Sequence, residues 1–188
     1  ARADRHAGEP GRIKAFRDPA FFRDPTGGTD YLVFTASLAG AVSDHNGAVG
    51  IARRDEGGWT LLPPLVHADG VNNELERAHV VYREGHYYLF WVTQRSTFSP
   101  EVTAGPTGLY GMVAEVLAGP WRPLNGSGLV LTNPLDDPDR AYSWFVTAEG
   151  IVASFVDDPA GTGFAGVPAP LLCLDFRGDR VCLADQVT

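Results

Sequence analysis

The sequence predicts an all-β protein, and three observations carry that prediction. Runs rich in Val, Leu, Phe and Tyr recur about every 8 to 12 residues. Between them stand the turn formers Gly, Pro, Asp and Asn, with 22 glycines and 14 prolines in 188 residues. No stretch shows a convincing amphipathic helical spacing. The pattern fits a sandwich, a barrel or a propeller. Stacked four-stranded blades with such loops would take roughly 50–60 residues each, enough chain for about three.

In order, residues 1 to 15 are charged and hold Gly and Pro, which reads as an exposed arm or loop. KAFRDPAFF then leads through the turn DPTGGTD to the strand YLVFTASLAG. AVGIARR and GGWTLLPPLV form the next pair. Two β-rich runs follow, AHVVY and HYYLFWVT, separated by Arg83-Glu84-Gly85. TGLYGMVAEVL, GPWRPLNGSGLVL, AYSWFVTAEGIVASFVD and APLLCLDFRGDRVCLA complete the series. In the last segment a two-residue turn at Arg177-Gly178 would set Cys173 opposite Cys182. A cross-strand disulfide suited to a secreted protein is one reading, and two buried free thiols are the other.

Composition bounds the function. A net charge of −8 argues against a nucleic-acid partner and suits a soluble protein handling a neutral substrate. No apolar run approaches the ~20 residues of a membrane span, so no membrane partner is expected. Residues 1–16 lack a signal peptide, and Met112 is the only methionine in a chain that starts at Ala1. The expectation is therefore a processed or truncated product whose N-terminal portion lies elsewhere.

The chemistry concentrates in NNELERAHVVY. Residues i and i+2 of a strand share a face, so a strand starting at Glu74 points Glu74 and Glu76 one way and Leu75 and Arg77 the other. Two like charges side by side raise at least one carboxyl pKa, and a nearby arginine lowers it again. A carboxylic acid kept protonated near neutrality is what glycosidic cleavage needs as its general acid. A solvated strand start with an ion pair explains the same residues without chemistry. Arg-Asp-Pro occurs twice. Asp24 of the second copy runs into Thr26-Gly27-Gly28 and reads as turn chemistry, whereas Asp18 of the first lies between aromatic residues with no glycine following.

Seven short motifs stand in order: FRDP, DPxxGxxYLVF, ELERAHVVYxxGxYYLF, RSTF, GPxGLYGMV, NGSGLVL and AYSWFV. Together they resemble the levansucrase and inulosucrase family of glycoside hydrolases, over residues 16 to 183. Related invertase-type propellers also carry an Arg-Asp-Pro aspartate, but their acid lies in a Glu-Cys context. The resemblance implies a five-bladed β-propeller with an axial funnel in which sucrose binds. It implies that Asp18 stabilises the transition state and that Glu76 is the general acid/base. Arg17, Glu74, Arg77 and Tyr142 would bind sugar, with Gln94 and Arg95 in the stretch used for acceptor or glucosyl contacts. Relatives often show His followed by Arg or Lys there, so Gln94 is a departure.

The family's nucleophile is an aspartate following tryptophan, and none of Trp59, Trp91, Trp121 and Trp144 precedes an Asp. The expectation is that residues 16 to 188 form the C-terminal portion of a propeller. A second polypeptide, or a missing segment, would supply the early blades and the nucleophile. Sucrose and fructosyl acceptors are the expected small-molecule partners, no cofactor or metal is required, and the localisation is extracellular. A non-catalytic sugar-binding half-propeller and a related furanoside hydrolase are the alternatives. His45, His67, His79 and His86 show no metal-ligand spacing and read as structural or surface residues. Asp136 to Arg140 reads as a turn, and Trp144 divides between core packing and the site.

Overall fold

The strand His86–Thr93 (β6) explains the architecture better than any other segment. Its residues alternate faces, as in any strand, yet both faces are apolar and buried. Tyr87, Leu89 and Trp91 enter one hydrophobic core, while Tyr88, Phe90 and Val92 enter another. The sheet holding β6 is therefore sandwiched between two others. Fully burying each such side chain stabilises the fold by about 1.5–3 kcal/mol.

In this computed structural model, residues 15–184 are described, apart from 139, 160–162 and 164. The first sheet is an antiparallel meander of Phe16–Arg23 (β1), Asp30–Ser37 (β2), Gly47–Asp55 (β3) and Gly58–His67 (β4). β4 is an edge strand, which is where Pro63 and Pro64 are tolerated. The second sheet runs Glu76–Arg83 (β5), β6, Gly108–Ala114 (β7) and Arg122–Pro123 (β8), with Leu129–Thr132 (β9) also on β7. The third runs Ala141–Val146 (β10), Ile151–Val156 (β11), Leu172–Arg177 (β13) and Arg180–Leu183 (β14), with Val167–Pro168 (β12) on β11. The hairpin between β5 and β6 turns through Glu84-Gly85, both left-handed (φ 51° and 81°), the signature of a tight primed turn.

The three sheets repeat one backbone feature. Each sheet's first strand breaks register at the same place: between Arg17 and Ala20, between Glu76 and His79, and between Tyr142 and Phe145. At each break a non-glycine residue adopts a left-handed conformation, namely Asp18 (φ 56°), Arg77 (φ 51°) and Ser143 (φ 69°). These are β-bulges, which re-aim side chains, and such conformations gather at functional positions.

Two expectations need correction. Arg177 pairs with Arg180, so the last turn is Gly178-Asp179 and Cys182 faces Asp175. Cys173 and Cys182 are thus diagonal on one face, too far apart for a direct bridge, and both are exposed free thiols. The bulge at Arg77 likewise ends the simple alternation across Glu74–His79: Leu75 is buried, Arg77 exposed, and both Ala78 and His79 buried. Of the arm expected over residues 1 to 15, only Ala15 lies within the described residues, buried with its N–H donating to Ser37 Oγ. Asp24 does build its turn, accepting at Oδ1 from Thr26 N–H, Thr26 Oγ1 and Tyr87 OH.

Candidate active site

The first bulge presents Arg17 and Asp18, and the second presents Glu76 and Arg77. One nitrogen of Arg17, Nη2, donates to Glu74 Oε1 at 2.7 Å and to Glu76 Oε1 at 2.8 Å. Arg17 Nε lies 3.6 Å from Asp18 Oδ2. Three carboxylates are thus gathered around one guanidinium. Burial works against the charge on Arg17, but the two glutamates outweigh it and hold the guanidinium firmly protonated. Burial also raises the Glu76 pKa, the charge on Glu74 adds to the rise, and Arg17 opposes both. Glu76 Oε2 is buried and has no hydrogen-bond partner within the protein.

The approach to Glu74 is fixed from behind. Asn72 is buried, and its side-chain oxygen accepts from Glu74 N–H, Thr93 Oγ1 and Thr97 Oγ1. Gly47 at the start of β3 lies against this segment, its N–H donating to the Asn72 carbonyl. A Cβ there would come within 2.8 Å of the Asn73 backbone. Only glycine permits that approach.

The remaining candidates occupy distinct places. Arg77 has an exposed side chain, and its N–H donates to Thr35 Oγ1 at 2.9 Å. Gln94 and Arg95 follow β6 at the end where Asn73 N–H meets the Thr97 carbonyl, beside the carboxylates in the chain path but not bonded to them. Gln94 offers its backbone carbonyl to Thr97, and the Arg95 guanidinium donates to the Ala104 carbonyl. Tyr142 stands just before the third bulge, its hydroxyl buried and without a hydrogen-bond partner. Trp144 is core.

Two further residues go unmarked in the sequence. Thr35, fully buried in β2, donates its hydroxyl to Asp18 Oδ2 at 3.1 Å. His79 receives Val146 N–H at Nε2 and meets the Arg77 carbonyl with Nδ1, both at 3.0 Å. Burial lowers its pKa to about 4, so the ring is neutral. The one signal for Thr35 is a lone hydroxyl inside the apolar run YLVFTA; His79 shows none.

Three antiparallel sheets, with acidic and arginine side chains on the bulged first strands of the first two, define part of a β-propeller with a carboxylate site where those blades meet. A family profile described as Levansucrase/Invertase matches residues 42–184. Levansucrase LscC of Pseudomonas savastanoi pv. glycinea is 39% identical over 201 residues, covering 91% of this chain and 46% of that protein. The levansucrase of Erwinia amylovora is 37% identical, covering 91% and 48%. Among solved structures, the inulosucrase from Halalkalicoccus jeotgali bound to kestose superposes with a TM-score of 0.81 at 40% identity, covering 95% of this chain and 52% of that one. The levansucrase from Gluconacetobacter diazotrophicus gives 0.80 at 26% identity, covering 92% and 45%. The chain belongs to the levansucrase/invertase family. Its three sheets are three blades of the family's five-bladed β-propeller, and it spans about half the length of the curated relatives it matches.

Proposed function

We propose that this chain supplies the general acid/base and the transition-state stabiliser of a retaining fructosyltransferase that cleaves sucrose. The nucleophilic aspartate would come from a segment or second polypeptide outside this sequence. The observation that carries the reading is the Glu74–Arg17–Glu76 bridge with Asp18 beside it. A buried carboxyl with a raised pKa and one unpaired oxygen is suited to hold a proton and deliver it.

In this scheme the nucleophile attacks the anomeric carbon of the fructosyl unit while Glu76 protonates the glucosyl oxygen, and glucose departs. The Glu76 carboxylate then takes a proton from water or from a sugar hydroxyl, which attacks and releases the fructosyl group with net retention. Asp18 accepts hydrogen bonds from fructosyl hydroxyls as positive charge develops on the ring. Arg17, Glu74, Arg77 and Tyr142 hold the sugar, and Gln94 and Arg95 face the acceptor side. The similarity to both levansucrases and an inulosucrase supports the substrate class.

The test uses the chain together with the segment that completes its ring. Glu76→Gln should lower kcat on sucrose by about 100-fold or more. It should spare the first step on an aryl β-fructofuranoside, whose leaving group needs no proton, so that a burst of released phenol precedes a slowed second step. Wild-type turnover of sucrose by Glu76→Gln would reject the assignment.

A further inference from the structure

We infer that Thr35 and His79 are positioning residues of this site, forming one hydrogen-bonded brace that runs from the Asp18 carboxylate through Arg77 to the third blade. The inference rests on the functional reading above only in giving Asp18 its role; the brace itself is geometric.

From its far end, Val146 N–H donates to His79 Nε2, and His79 Nδ1 lies 3.0 Å from the Arg77 carbonyl. A carbonyl only accepts, so Nδ1 carries the proton and Nε2 is the bare nitrogen. Arg77 N–H donates to Thr35 Oγ1, and Thr35 donates onward to Asp18 Oδ2. Every donor in the series points toward Asp18. Both backbone groups of Arg77, the residue next to Glu76, are used: Thr35 holds its N–H and the Asp18 carboxylate together, and His79 holds its carbonyl. Thr35 is fully buried and His79 is 3% exposed, faced by the rings of Phe90 and Phe145. Water therefore does not substitute for either.

The brace answers a need created by the bulges. Asp18 and Arg77 sit in left-handed conformations (φ 56° and 51°) that non-glycine residues rarely adopt and that persist only when their surroundings hold them. The bulges aim the catalytic side chains, and Thr35 ties the first bulge to the second across a blade boundary. His79 ties the second to β10. The relative placement of Asp18 and Glu76 thus depends on residues that touch no substrate.

In the completed propeller with sucrose as probe, Thr35→Val keeps the shape but removes the hydroxyl. It should lower kcat by about 10- to 100-fold with a smaller change in KM. Thr35→Ser should restore kcat to within about threefold of wild type. In an Asp18→Ala background, Thr35→Val should cost clearly less than in the wild type, because the arm of the brace that ends on that carboxylate is already gone while the arm to Arg77 remains; a purely structural role would cost the same in both. A folded Thr35→Val enzyme with wild-type kcat, or full additivity with Asp18→Ala, would overturn the inference. Should Thr35→Val fail to fold, His79→Gln in the same two backgrounds reads the brace from its other end, with the same two outcomes deciding. If Asp18→Ala and Glu76→Gln themselves turn over sucrose normally, the functional reading fails instead.

Discussion

Arg17 decides how the acid behaves. Its guanidinium opposes both the desolvation of Glu76 and the repulsion from Glu74, so removing it leaves two close buried carboxyls with no counter-charge. Arg17→Met should therefore move the alkaline limb of the kcat/KM profile on sucrose to higher pH, because Glu76 keeps its proton longer. Linkage has the matching sign for stability. A carboxyl whose folded pKa lies above its unfolded value loses stability as pH rises through the folded pKa. The variant should be destabilised more at pH 8 than at pH 5, by about 2 kcal/mol at the higher pH. That figure is reduced because Arg17 is itself 35% exposed. Denaturant melts at the two pH values check it, and an unmoved alkaline limb would mean that Arg17 does not tune Glu76.

The strands themselves are written plainly in the sequence, because alternating apolar runs and Gly-Pro-Asp turns are local signals. The bulges are not, since one extra residue leaves composition unchanged while inverting the faces beyond it. The expected alternation from Glu74 to Arg77 rests on an uninterrupted register, and the expected facing of the two cysteines rests on the position of a turn. Moving that turn by one residue shifts Cys182 from Cys173 to Asp175. Glu74, Glu76 and Arg17 could be singled out from residue type and spacing, whereas Thr35 and His79 join the site through bonds set by the bulges and by the neighbouring blades. A backbone approach is equally invisible: nothing in SDHNGAVG shows that Gly47 abuts Asn73. Gly47→Ala would drive a methyl into that backbone, displacing the segment that carries Glu74. We expect a loss of about 1–3 kcal/mol and at least a tenfold fall in kcat/KM on sucrose, measured by thermal melts and kinetics. Full activity in this variant would show that the Asn73–Glu74 segment is free to move without consequence.

At the scale of the molecule, three blades form an arc with two chemically unlike ends. On the first blade, the face turned away from the second blade carries Phe16, Phe21, Leu32 and Leu61 among its residues. Phe16 and Phe21 are each 59% exposed, and Leu61 is 62% exposed. The outward face of the third blade is more mixed, with Ile151, Cys173, Asp175 and Cys182. β6 shows what a blade inside the ring looks like, apolar on both faces. By that measure the first blade resembles the inner face of a propeller, with no further sheet packed on it among the described residues. The 188-residue chain alone should bind a hydrophobic dye and self-associate at micromolar concentration, as unpaired apolar faces do. Phe21→Glu with Leu61→Lys should suppress both without changing the β-sheet circular dichroism. In the completed propeller the same pair should be harmful, costing about 2 kcal/mol or more for each lost apolar contact, because there the preceding blade covers that face. A monomeric, dye-silent chain, together with a completed propeller indifferent to the two charges, would mean that blades close their ring over some other surface.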